Sequence, residues 1–307
     1  MPLAIQEATT LSEMAEKAKQ ECMRDIKSNL ILHGEFPISE LDGGFARMEI
    51  SNARKWQAKE PPGDLYFNHG QYIDRGGRSG RAFLVDELRR KHDSNRACLS
   101  LVSMPDIVNS GDEPIPSFLI LQFSFIEDGF RKLQVNAYFR ALEVHNFLPI
   151  NIAEICDIIS DLAKAFPDMR TFELTIFAFR AYADKFFRCL TKTALDMAKP
   201  VDIALAVERN EISTIKKWIE SQLLYSDSVL SIAGLEYLCD ALVSSKLDYA
   251  KELHGHLSHA LLAYRAIRDI RRASSYSHRL EALQNSVKTS LKSACDVLDN
   301  YEGKETA

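Results

Sequence analysis

Apolar positions along this chain recur at two different periods, and the change from one to the other divides it. Leu11, Met14, Ala18, Cys22, Ile26 and Leu30 fall three and four residues apart, which predicts an opening amphipathic helix over residues 10–31. From Gly34 to Gly80 the period is lost among turn formers: Asp42-Gly43-Gly44, Pro61-Pro62-Gly63-Asp64, and Asp74-Arg75-Gly76-Gly77-Arg78-Ser79-Gly80. Residues 80–91 then predict a helix and residues 96–104 a strand. Leu119 to Ile126 is an apolar strand broken only by Gln122 and Ser124, and Asp128-Gly129 supplies a turn that returns it.

The returning segment alternates strictly. Lys132, Gln134, Asn136, Tyr138 and Arg140 share one face, and Leu133, Val135, Ala137 and Phe139 the other. Pro149 to Phe166 carries Ile152, Ile155, Cys156, Ile159 and Leu162 on one side of a helix. Phe172, Leu174, Ile176, Ala178, Arg180 and Tyr182 then share a face of the next strand, which sets Arg180 and Tyr182 on the same side. After Cys189 the chain reads as helix, with candidates at 201–223, 227–245, 247–272 and 276–299. The pattern predicts an α/β (α+β) fold: a mixed sheet with flanking helices over residues 1–189, followed by an α-helical C-terminal region over 190–307.

Composition narrows the partners. The 307 residues carry a net charge of −5 with both signs dispersed, so no global field recommends nucleic acid or an anionic membrane. The six cysteines stand without C-x-x-C spacing in mostly apolar context, as reduced thiols do. Charged residues interrupt the first thirty positions, and no apolar run approaches the ~18 residues of a membrane helix. A cytoplasmic protein is the expectation. His254, His256 and His259 lack the Cys or carboxylate pattern of a zinc site, so no metal is expected. The Arg75–Arg81 loop reads either as a solvated loop or as a phosphate cradle of backbone N–H groups and guanidinium charge. Arg265, Arg268 and Arg272, with Arg271 and Arg279 near, read either as a solvated face or as a surface for an acidic or phosphate-bearing partner.

Four segments, in order, carry a resemblance. His92-Asp93-Ser94-Asn95-Arg96 is similar to P-D-S-R-R. Pro114-Ile115-Pro116-Ser117 through Gln122-Phe123 is similar to P-C-H-x-x-x-Q-F. Arg140-Ala141-Leu142-Glu143 with Phe147-Leu148-Pro149-Ile150-Asn151-Ile152-Ala153 is similar to R-S-x-D and G-L-P-F-N-I-A. Arg180-Ala181-Tyr182 falls at H-x-Y. Together they resemble the nucleotide-binding core of the thymidylate synthase family, over about a third of the chain.

The resemblance implies a thymidylate synthase-like sheet, a homodimer in which Arg96 serves the neighbouring subunit's phosphate, and a pyrimidine nucleotide held by Arg96, Arg140, Glu143, Asn151, Arg180 and Tyr182. It also implies that the polar row from Lys132 to Arg140 floors the cavity. The departures remove chemistry. Ser117 stands at the family's cysteine, and a hydroxyl lacks the nucleophilicity that a thiolate brings. Asn95, Ala141, Glu143 and Arg180 replace further motif residues, and the family's folate-closing tail has no counterpart after Cys189. Three readings stand: a nucleotide-binding module without methylation and without cofactor, in a nucleotide-sensing or regulatory role, whose helical region transmits occupancy or joins a protein partner; an active C5 one-carbon transferase with a rearranged nucleophile, which alone would use folate; and an assembly platform with an empty pocket.

Overall fold

A computed structural model describes residues 5–77, 79–110, 115–126, 130–184, 190–226, 231–273 and 279–305. Pro114, Arg78, Cys189 and the Asp128-Gly129 turn lie outside the described residues, as do the side chains of Arg271 and Arg272. The chain forms two compact units: Met1–Pro62 with Phe67–Lys185, and Gly63–Tyr66 with Phe186–Ala307.

The first unit is a mixed α/β layer. Its elements are β1 (Ile5–Glu7), α1 (Leu11–Cys22), β2 (Lys27–Pro37), α2 (Gly44–Trp56), α3 (Gly70–Ile73), α4 (Gly80–Arg90), β3 (Cys98–Ser100), α5 (Met104–Ser110), β4 (Phe118–Phe125), β5 (Lys132–Phe139), β6 (Leu142–Glu143), α6 (Phe147–Ala165) and β7 (Thr171–Tyr182). The sheet runs β1-β2-β7-β5-β4-β3, with β6 paired to β7 off that path. β5 and β7 are parallel neighbours, and the chain between them crosses over through α6, as a parallel pair requires. α6 buries Leu148, Ile152, Ile155, Ile159 and Leu162 in one core with Leu133, Val135, Ala137 and Phe139 of β5 and Phe172, Leu174, Ile176 and Ala178 of β7.

Three expectations are corrected here. The opening helix stops at Cys22, and residues 27–31 begin β2, which pairs along β7 from Lys27↔Ala181 to Pro37↔Thr171. Met23 and Ile26, which extend the helical pattern, are exposed, and Asn29 takes a left-handed φ of 58° that no helix continues through. Sheet pairing overrides a local period. The turn-rich stretch contains α2, opened by Gly43 and buried through Ala46, Ala53 and Trp56. The polar row of β5 makes contacts of its own. It lies on the sheet face opposite α6, where Lys132 pairs with Glu35 at 2.7 Å and Glu173 at 3.1 Å, and Tyr138 stacks on Phe177. Farther along, Cys98–Ser100 alone forms β3, and α5 follows in place of strand.

The second unit is helical: α7 (Ala194–Met197), α8 (Pro200–Glu208), α9 (Ile212–Leu224), α10 (Ala233–Val243), α11 (Ala250–Ala273) and α12 (Arg279–Glu305). The helix expected over 201–223 is two, because Asn210 adopts φ 55° and its side chain accepts a 2.7 Å bond from the Tyr249 hydroxyl. Leu238, Leu253, Leu257, Val287, Leu291 and Leu298 centre its core. Arg265 pairs with Glu236 at 2.8 Å. Among the described residues no helix is long and apolar enough to cross a membrane, and no group of three His, Cys, Asp or Glu is placed to hold a metal ion.

Candidate functional site

The carboxyl ends of parallel strands, where the chain leaves the sheet for a helix, are the usual mouth of a ligand site in an α/β layer. Four of the residues singled out in the sequence meet there. β4 begins at Phe118 opposite Phe139, the last residue of β5, and the two rings stack at 4.4 Å. Just beyond, the Arg140 N–H donates to the Ser117 carbonyl at 2.9 Å. The Arg140 guanidinium donates to the carbonyls of Pro116 (3.2 Å) and Ile115 (3.0 Å). Protein atoms crowd this guanidinium and lower its pKa, with Tyr182 acting in the opposite sense, while the residue as a whole stays exposed. Among the described residues no carboxylate pairs with it.

Glu143 is committed to the backbone. One carboxylate oxygen accepts the N–H groups of His145 (2.7 Å) and Asp184 (3.0 Å), the other those of Asn146 (2.7 Å) and Phe147 (2.9 Å). It thereby satisfies the first orphan donors of α6 and ties the end of β7 to that helix. Tyr182 pairs with Glu143 in the β6–β7 register, and its carbonyl accepts from Val144 at 2.9 Å.

Arg96 is placed apart from this group, whereas Arg180 lies at the same strand end, between the Phe139–Ala178 and Leu142–Ala181 pairs, with its side chain exposed. The burial alternation of β7 ends at Ala178; Phe179 and Arg180 are exposed, Ala181 is buried, and the Arg180 guanidinium lies 5.9 Å from the Phe179 ring centre. Arg96 is exposed beside β3, towards the end of β4 remote from Ser117.

Beneath the mouth the structure places a polar centre that periodicity does not announce. Phe147, Asn151 and Glu154 form one stripe of α6, spaced four and three residues apart. His69 reaches both ends of that stripe. Its Nδ1 lies 2.8 and 3.0 Å from the two Glu154 carboxylate oxygens, and its ring packs edge-on to Phe147 at 6.2 Å and to Phe118 at 5.8 Å. Trp56 closes the other side at 5.1 Å, and its carbonyl accepts the His69 N–H at 2.8 Å. His69 and Glu154 are 1% and 0% exposed.

Burial raises the Glu154 pKa above the usual carboxylate range, and His69 pulls it back. A carboxylate on Nδ1 fixes the imidazole tautomer and leaves Nε2 as the second functional nitrogen. Asn151, 1% exposed between these neighbours, has an Oδ1 with no hydrogen-bond partner. A buried acceptor left unpaired costs about 1–3 kcal/mol.

The network extends outward from Glu154. Gln57 donates to its carbonyl at 3.0 Å, and Arg81 binds Gln57, Asp157 and Asp161, so the loop arginine of the sequence reading serves α6 here. Its neighbour Arg75 pairs with Asp106 at 2.8 Å. Cys98 stands on β3 opposite Gln122, away from Ser117. The readable signal for the buried centre is Glu154 itself, a lone carboxylate within Ile150-Asn151-Ile152-Ala153-Glu154-Ile155-Cys156.

No family model matches the chain, and no curated protein matches it. Among solved structures, thymidylate synthase from T4 phage is similar over 38% of this chain and 38% of its own, at 20% identity and a TM-score of 0.32. A likeness of that size carries no functional weight.

Proposed function

We propose that the first unit binds a pyrimidine nucleotide at the carboxyl ends of β5 and β7 and does not methylate it. The observation that carries this reading is the unpaired Oδ1 of Asn151, buried on α6 one turn from Phe147, whose N–H binds Glu143 at the strand ends. Polar groups held unpaired in an interior are costly, and a ligand that pairs them recovers the cost. In this reading Arg140 and Arg180 anchor the phosphate, Asn151 reads the base and Tyr182 the sugar. Glu143 holds the loop that presents them. Ser117 offers no thiolate, so no covalent adduct forms and no folate is used. The protein acts as a homodimer in which Arg96 serves the partner's phosphate, and the helical unit carries a protein partner.

Calorimetry with pyrimidine and purine monophosphates tests this. Pyrimidine nucleotides are expected to bind, and Arg140→Ala to weaken them about ten- to a hundred-fold, since a charge-assisted hydrogen bond contributes roughly 1.5–3 kcal/mol. Asn151→Ala erodes discrimination between bases. Unchanged affinity in both the Arg140→Ala and Arg180→Ala proteins would remove the site. A monomeric mass at micromolar concentration would remove the role of Arg96, and tritium release from 5-labelled deoxyuridine monophosphate with methylenetetrahydrofolate would show that methylation chemistry survives.

A further inference from the structure

α2 and α6 pack side by side, and two contacts set an antiparallel register between them. Gln57, just past α2, donates to the carbonyl of Glu154, and three residues earlier Arg54 faces Asp157 at 3.6 Å, three residues later on α6. Seven further residues, about 10.5 Å along each helix, bring Arg47 opposite Lys164. The register therefore matches opposite charges at Arg54 and Asp157 and sets like charges together at its far end. A groove of about 470 Å³ opens there, with Arg47, Arg54 and Lys164 on its walls above Leu41, Ala46 and Ile50. That volume lies within the range of small-molecule sites.

The lining sets three cations, Arg47, Arg54 and Lys164, against two carboxylates, Asp42 and Asp157, which leaves an excess of positive charge. Asp157 and Asp161 both bind Arg81, Asp157 also faces Arg54, and among the described residues Lys164 has only the shared Asp161 at 2.9 Å. Arg47 is exposed and pairs with no carboxylate among the described residues. Asp42 also lines the groove but forms no ion pair among the described residues. Two cations from opposite helices match a dianion better than a single charge, and the planar fork of Arg47 suits tetrahedral oxygens. The apolar floor suits a hydrocarbon body.

We propose that the α2–α6 groove is a binding site for a phosphate monoester, its head held between Arg47 and Lys164 and its apolar chain lying over Leu41, Ala46 and Ile50. The site shares no residue with the nucleotide site proposed above. Asp42 acts against the anion and limits its affinity.

Calorimetry on the full chain with hexyl phosphate, inorganic phosphate and hexanol decides the matter. Hexyl phosphate is expected to bind about tenfold or more tighter than inorganic phosphate, because several methylenes leave water, and hexanol to show no saturable binding. Arg47→Glu and Lys164→Met should each weaken hexyl phosphate about ten- to a hundred-fold, and Asp42→Asn should strengthen it severalfold. These substitutions lie on the walls of an open groove, so circular dichroism should report an intact fold. No binding at millimolar hexyl phosphate, affinity unchanged in Arg47→Glu and Lys164→Met, or hexanol binding as tightly would overturn the proposal. Loss of nucleotide binding in Arg47→Glu but not in Arg140→Ala would support this groove while removing the strand-end site.

Discussion

The two units bury different kinds of atoms. Among the described residues the first holds Asn68, His69, Glu87, Ser94, Glu143, Asn151 and Glu154 in its interior, whereas the second holds Thr193, Gln222 and Ser226, none of them ionisable. Both have a full apolar core, so the difference is not one of folding need. An interior carboxylate loses solvation that only specific partners restore, and a fold keeps one where the geometry it enforces has another use. Glu143 and Glu154 illustrate two such uses. The first is satisfied by four backbone donors and shapes the mouth; the second orients an imidazole below it.

The comparison breaks most readily at His69. His69→Ala leaves the Glu154 carboxyl buried without its partner, and urea unfolding is expected to show a loss of about 3–5 kcal/mol. Pairing it with Glu154→Leu should recover part of that loss, because the stranded carboxyl is gone. In the second unit Leu291→Ala should cost about 2–5 kcal/mol through its cavity, and no single second change should rescue it. Equal behaviour of the two sites would mean that the buried pair is ordinary packing.

A smaller effect sharpens the same contrast. Gln222 and Asn151 each bury an unpaired amide oxygen. Replacing Asn151 with Leu removes a desolvated acceptor and should gain about 1 kcal/mol in urea midpoint measurements, whereas Gln222→Leu also breaks the bond from its Nε2 to the Tyr264 hydroxyl and should gain less. Only Asn151→Leu should also abolish nucleotide binding. A gain in stability with a loss of binding marks a residue retained for its ligand; loss of stability in Asn151→Leu would assign it to the core.

The elements near the candidate site were legible because strict alternation and helical spacing are local properties. β4, β5, α6 and β7 follow directly from them. What alternation does not say is which face is covered. α6 covers the face of Val135 and Ala137, and the polar row of β5 lies on the other. β2 was obscured because Met23 and Ile26 continue a helical spacing by coincidence, and α2 because Gly43 and Gly44 read as a turn when they open a helix. His69 leaves no periodic trace. Its partner lies 85 residues away, and only the anomaly of a carboxylate within an apolar helix points to it.

The smallest expected effects lie in the pH dependence of stability, where two glutamates of the first unit should differ in sign. Glu13 accepts bonds from Lys17 and from Thr9, which lower its pKa from 4.5 to about 2. A depressed carboxylate contributes stability above its unfolded pKa, and that contribution disappears as pH falls from about 4.5 through about 2. The gap between the wild type and Glu13→Gln should therefore close on acidification. Glu154 is raised in the folded state, chiefly by burial. Its contribution is fully present below the unfolded pKa and is lost as pH rises through the folded value, so the wild type should gain on Glu154→Gln as the solution is made acidic. Urea midpoints between pH 7 and pH 3 measure both gaps. Parallel slopes would show that Glu154 is solvated like Glu13, and the contrast between a buried chemical centre and a packed helical core would then be lost.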